Sequence, residues 1–251
     1  MKRLRILVLS ALTACSLGTG PEAPEGSLKV LFIGNSLTYE NNLPGTIAQL
    51  ALSAGLPACY CYQIAYPDFS LEDHWYLREA VNALQDESWD FVVMQQGPSA
   101  LATSRANLIQ WTQEFGLLID DNGAQAVMYG VWPQETRSFD FPNVTTSYRL
   151  AAESIGGLLA PAGEAWQWAW AADSTLPLYA ADDFHPSNMG TYLAALTLFE
   201  RLYDHTPVGV QESAVVDGRV QGWSAATVHL LQEAAAAANA AEDSRALARR
   251  R

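Results

Sequence analysis

Positive charge is scarce in this sequence: 14 Lys and Arg stand against 27 Asp and Glu in 251 residues, for a net charge of −13. A surface this acidic repels phosphate backbones, which argues against nucleic acid as a partner. Cysteine and histidine are also few, at three and four. That is too little cysteine for a disulfide-built scaffold, and no His or Cys grouping has the spacing of a closed zinc site. No internal repeat is visible, and no segment after the N-terminus is long and apolar enough to span a bilayer. What is present is apolar material: 49% of residues are hydrophobic and 16% charged, enough for one sizeable core in a single domain. Eight Trp and ten Tyr are many for this length. Most are expected in the core, the rest lining a pocket or an aromatic surface.

The N-terminus reads as an address. Met1-Lys2-Arg3-Leu4-Arg5 is a basic stretch, and Ile6 to Ala14 form a short apolar run, the pattern of a secretory signal. The run ends in Leu12-Thr13-Ala14-Cys15, which resembles a bacterial lipobox. That resemblance implies lipidation of Cys15 as the mature N-terminus, with residues 1–15 as signal and 16–26, rich in Gly, Pro and Glu, as a flexible tether. Ser16 carries no inner-membrane retention Asp, so the outer membrane is the expected anchor site. The globular domain is expected over 27–245, followed by a basic tail at 246–251. Cys59 and Cys61 are expected as two buried thiols on alternate positions of a strand, because a C-x-C disulfide closes a tight ring.

Leu28 to Ile33 form a near-continuous apolar run that reads as a buried strand. Further strands are expected over 58–66, 90–94 and 124–131, with helices over 43–54, 71–85, 104–121, 146–159, 189–203 and 224–241. Strands alternating with helices imply an α/β fold with a parallel sheet covered on both faces. Ligands bind at the carboxyl edge of such sheets. The residues following the first three strands, Gly34-Asn35-Ser36, Pro67-Asp68-Phe69 and Gln95-Gln96-Gly97, all fall on that edge.

Ser36 lies just past a buried strand and ahead of a helix, where free N–H groups stabilise developing negative charge. By position alone the helix N-cap is the stronger reading of it, and the surrounding sequence is not the G-x-S-x-G elbow of α/β-hydrolases. A serine nucleophile needs a base, and Asp182-Asp183-Phe184-His185-Pro186 offers one. His185 has the right chemistry near neutral pH, and Asp182, three positions earlier, can turn back to hold its other ring nitrogen. His74, His205 and His229 read as surface or helix positions, with His74 alone near the expected pocket.

Ile33-Gly34-Asn35-Ser36-Leu37-Thr38 resembles the first block of the SGNH/GDSL hydrolases, with Asn in place of the usual Asp. Asp182-x-x-His185-Pro186 resembles their fifth block, and the order is preserved over about 28 to 205. The resemblance implies a three-layer α/β/α sandwich like flavodoxin, with Ser36 as nucleophile, His185 as base and Asp182 as its orienting partner. Typical members place a Gly after strand two and Gly-x-Asn-Asp after strand three to complete the oxyanion hole, and this chain has neither. The expected donors are the Ser36 N–H, a backbone N–H at Asp68 or Phe69, and a side-chain amide of Gln95 or Gln96, Gln95 preferred.

These features lead to the expectation of a serine esterase working through an acyl-enzyme, without metal or organic cofactor, on a small-molecule or glycan ester. The expected acyl group is short, such as acetyl on carbohydrate. A reading from another class is a catalytically weak, glycan-binding lipoprotein of the same fold. Trp166, Trp168 and Trp170 are candidates for a sugar platform, although on a helix Trp166 and Trp170 share a face that normally packs inward. A redox role for Cys59 and Cys61 ranks last.

Overall fold

The computed structural model describes residues 23–249. Cys15, the signal segment, most of the tether and the end of the basic tail lie outside the described residues. Five parallel strands, β1 (Leu28–Gly34), β2 (Cys59–Ala65), β3 (Phe91–Met94), β4 (Gln125–Tyr129) and β5 (Leu158–Ala160), form one sheet in the order β2-β1-β3-β4-β5. Helices α2 (Leu43–Ser53), α7 (Ala162–Ala172), α8 (Asn188–Tyr203) and α9 (Ala225–Arg249) pack together as one layer. The other layer holds α3 (Leu71–Leu77), α4 (Glu79–Asp86), α5 (Ala102–Asn122) and α6 (Phe141–Ser154). This is the expected three-layer α/β/α sandwich, and its strand order reverses between β1 and β3, the switch point where flavodoxin-like sheets bind ligands.

Val30 to Ile33 of β1 are fully buried, as a central parallel strand covered on both faces requires. The edge strand β2 is only half-buried. Tyr60 and Tyr62 stand on one face of it and stack on Trp89 with ring centroids 6.1 and 6.0 Å apart, which covers part of that face. Cys59 and Cys61 on the opposite face form a disulfide, contrary to the expectation of free thiols. Their Cα atoms are 5.2 Å apart, within bridging range.

Several boundaries depart from the sequence expectation. The helix expected over 71–85 is two helices, because Arg78 takes the left-handed conformation (φ 70) between them. The helix expected over 146–159 runs from Phe141 to Ser154, and the residues after it form β5. A strand of three residues has no periodicity to read. The two-strand ribbon of β6 (Val215–Val216) and β7 (Arg219–Val220) was likewise not anticipated. At the C-terminus α9 continues past the expected helix end at 241 to Arg249, into the expected basic tail, and Arg245 and Arg249 pair with Glu164 and Glu153.

An ion-pair network joins three helices. The Arg149 guanidinium on α6 binds Glu242 on α9 through Nη2 (2.7 Å) and Nε (2.9 and 3.0 Å), and reaches Glu164 on α7 at 3.2 Å. The side chains of Arg149 and Glu242 are only 13% and 9% exposed. Removing one partner strands a poorly hydrated charge, which costs roughly 3–5 kcal/mol when burial is complete. With Glu164 still facing Arg149, Glu242→Ala is expected to lower unfolding free energy by about 2 kcal/mol, read as a lower urea midpoint at unchanged slope. An unchanged midpoint would show that α9 docks by apolar contact alone.

Candidate active site

The turn after β1 sets the geometry. The N-cap of the four-residue helix α1 (Ser36–Tyr39) is Asn35, whose Oδ1 accepts the Leu37 N–H at 3.1 Å. Ser36 is therefore the first helical residue, and its hydroxyl is not spent on capping. Ser36 Oγ lies 2.8 Å from His185 Nε2. The other ring nitrogen, Nδ1, lies 2.5 Å from Asp182 Oδ2. Asp182 Oδ1 accepts the backbone N–H groups of Phe184 (3.1 Å) and His185 (2.9 Å), so the carboxylate is oriented by its own turn. The hydrogen bond from His185, reinforced by those two N–H groups, lowers the Asp182 pKa to about 2. Asp183 is exposed with φ 60, and its carbonyl accepts the Glu135 N–H.

Three residues absent from the sequence reading hold the His185 segment in place. Trp132 Nε1 donates to the Phe184 carbonyl (3.0 Å), the Ala180 N–H to the His185 carbonyl (2.8 Å), and Asn41 Nδ2 to the Pro186 carbonyl (2.9 Å). None of these bonds has a sequence signal, since each partner is distant or conformation-dependent.

The expected oxyanion donors divide. The Gln95 amide is not free: Nε2 donates to Asn35 Oδ1 (2.9 Å) and the Gln96 carbonyl (2.6 Å), which uses both of its hydrogens. Gln96 is turned away into its own loop, with Nε2 on Ser99 Oγ (3.0 Å) and Oε1 accepting the Leu71 N–H (3.0 Å). The Phe69 N–H is bonded to the Tyr66 carbonyl. The N–H groups of Ser36 and Asp68 donate to no acceptor among the described residues. Asp68 has φ 61, the left-handed conformation that glycine adopts most readily and Asp tolerates. The glycine missing after strand two is thus replaced by a residue of the same backbone shape.

His74, expected at a surface or helix position, is on α3 and fully buried. Its Nε2 lies 2.7 Å from the Gly34 carbonyl, its ring meets Phe69 edge-on at 5.2 Å, and Nδ1 has no hydrogen-bond partner among the described residues. Burial pushes its pKa down, against the opposing pull of the Gly34 carbonyl, Asp73 and Glu79, which favours the neutral ring. Of the three tryptophans on α7, Trp166 is buried and stacks on Trp132 at 3.7 Å, Trp168 is half-exposed, and Trp170 lines a cavity with Tyr179.

A protein from Slackia heliotrinireducens assigned to the SGNH hydrolases has a solved structure that is 31% identical to this chain, covering 69% of it and 98% of its own length, with a TM-score of 0.59. The chain belongs to the SGNH hydrolase family. It is thus a serine ester hydrolase by family. A DUF4886 family protein from Bacteroides uniformis matches at 20% identity over 83% of this chain and 93% of its own, with a TM-score of 0.70. A catalytic mutant of an acetylxylan esterase from Geobacillus stearothermophilus matches at 15% identity over 71% and 95%, with a TM-score of 0.54. These two similarities speak for the fold alone. No protein-family model and no curated protein matches the chain.

Proposed function

We propose that this SGNH hydrolase removes short acyl groups, acetyl foremost, from carbohydrate, with Ser36 as nucleophile, His185 as base and Asp182 as the group orienting the base. The observation that carries the reading is the continuous chain Ser36 Oγ–His185 Nε2 (2.8 Å) and His185 Nδ1–Asp182 Oδ2 (2.5 Å) at the switch-point edge of the sheet. Ser36 Oγ bonds to the acyl carbon while His185 Nε2 takes its proton. The carbonyl oxygen, now negative, is held by the N–H groups of Ser36 and Asp68. Collapse breaks the bond to the alcohol oxygen, which leaves with the proton from Nε2. Water then repeats the sequence, giving the free acid and restoring the Ser36 hydroxyl.

The acetyl and carbohydrate parts rest on two supports. Acetylxylan esterases are among the proteins of similar fold. Beside the Asp182 turn there is also a cavity of about 430 Å³ lined by Trp170, Tyr179, Glu135 and Asp183. Aromatic faces flanked by carboxylates suit the apolar face and hydroxyls of a sugar ring. The protein is expected to hydrolyse p-nitrophenyl acetate and to be labelled by a fluorophosphonate on Ser36, located by mass spectrometry of the peptide. Absence of label on Ser36 in a hydrolysing preparation would remove it from the nucleophile role.

We further propose that the protein is anchored through a lipidated Cys15 outside the cytoplasm, and the outer membrane is the compartment this reading favours. No described helix is long and apolar enough to cross a membrane, so in this reading the lipid carries the attachment. Cys15→Ser is expected to move the protein from the membrane to the soluble fraction of a bacterial host. Continued membrane association would mean another anchor.

A further inference from the structure

The Gln95 side chain makes every hydrogen bond a carboxamide can make. Oε1 accepts the Asn35 N–H (3.0 Å) and the Thr38 hydroxyl (2.8 Å), while Nε2 donates to Asn35 Oδ1 (2.9 Å) and the Gln96 carbonyl (2.6 Å). The residue is fully buried. The site is built around it: a Cβ at Gly34 would lie 2.2 Å from Thr38 Oγ1 and 2.7 Å from Gln95 Oε1. Glycine is needed there for the close approach of Gln95 and Thr38 to the strand.

The bonds continue past Gln95. Asn35 Oδ1, gripped by Gln95, also accepts the Leu37 N–H, while Asn35 Nδ2 donates to the Phe69 carbonyl at 3.0 Å. The orientation of the Asn35 amide is therefore fixed, its oxygen toward β3 and its nitrogen toward the loop after β2. An aspartate at this position would set a carboxylate oxygen against the Phe69 carbonyl. Asn35 and Gln95 form a matched pair that ties the ends of β3, β1 and β2 into one unit.

We propose that Gln95 is a positioning residue that fixes both walls of the oxyanion hole, the Ser36 N–H directly after Asn35 and the Asp68 N–H through the Asn35–Phe69 bond. This rests on the assignment of Ser36 and Asp68 in the preceding section. Gln95 does not touch substrate. It sets the separation of two donors, and a misplacement of about 1 Å costs about a hundredfold in rate.

The test is Gln95→Glu, which keeps the shape and the two accepted bonds but turns both donors into lone pairs facing the Asn35 and Gln96 oxygens. With p-nitrophenyl acetate, kcat per folded molecule is expected to fall about a hundredfold with KM changed by less than about twofold. The fluorophosphonate labelling rate should fall in parallel. In Thr38→Val, which adds no charge, the acid limb of the pH profile should stay where it is in the parent, because the Ser36–His185–Asp182 chain is untouched. Thr38→Val removes one bond from the same carboxamide and serves if the Glu variant does not fold; its kcat is expected to fall about fivefold, the worth of one neutral hydrogen bond. A folded variant with parental kcat, or one whose loss lies in KM, overturns the proposal, as does a displaced acid limb in Thr38→Val. Full activity in Ser36→Ala would instead overturn the assignment beneath it, which separates the two failures.

Discussion

Ser36→Ala is expected to lower kcat for p-nitrophenyl acetate by roughly 10⁶-fold, the loss that follows when a triad nucleophile is removed singly. Fluorophosphonate labelling should vanish with it. KM and thermal stability should hold close to the parent, since the hydroxyl makes a single side-chain bond, to His185, and Asn35 caps the helix. That last fact makes the test clean. Were Ser36 the N-cap, the substitution would also cost about 1 kcal/mol of stability, and loss of activity would be confounded with loss of fold. The same experiment separates the esterase from a protein that merely binds glycan with this fold. A binding protein gives no label, and its affinity for sugar is indifferent to the Ser36 hydroxyl.

The sequence was most legible where chemistry demands fixed residue types and least where geometry depends on distant partners. Ser36, Asp182 and His185 could be singled out because a hydroxyl, a carboxylate and an imidazole in that chain order, set in two blocks that resemble those of the SGNH/GDSL hydrolases, have few other joint purposes. The sheet was legible because Val30 to Ile33 are apolar at every position, as a strand buried on both faces must be. Gln95 illustrates the limit. An amide one residue past an apolar run reads as a donor aimed at the ligand, yet its bonds go to Asn35, Thr38 and Gln96. No local pattern encodes that, because Asn35 and Gln95 meet only when β1 and β3 pair. Asp68 is the converse case. The sequence shows a missing glycine, whereas the backbone keeps the left-handed turn without one. β5 escaped notice because three residues next to a helical pattern carry too little period to separate from it.

The second large effect belongs to Asp182→Asn, and the direction of its amide can be derived. Oδ1 of Asp182 accepts two backbone N–H groups, those of Phe184 and His185, while Oδ2 accepts from His185 Nδ1. In the Asn variant the two backbone donors claim the carbonyl oxygen, which forces the NH₂ group toward Nδ1. The imidazole must then accept at Nδ1 and carry its proton on Nε2, 2.8 Å from Ser36 Oγ. A nitrogen already bearing a proton cannot take the one on the serine. The expected loss is roughly 10³-fold in kcat, less than the ~10⁴-fold seen for a buried triad acid, because this side chain is 52% exposed and water can compete for Nδ1. Asp182→Ala should retain more activity than Asp182→Asn, since it imposes no tautomer. Equal activity in the two variants would mean that Asp182 acts through its charge alone. The pH dependence bears on the same point. With its pKa held near 2, the carboxylate stays ionised through the whole assay range. The stability it contributes is present above the ordinary aspartate value and is lost only as pH falls toward 2. Loss of activity on the acid side therefore does not come from Asp182, and in Asp182→Asn the residual activity should still fall with acid. A profile that turned flat would place the essential proton acceptor elsewhere.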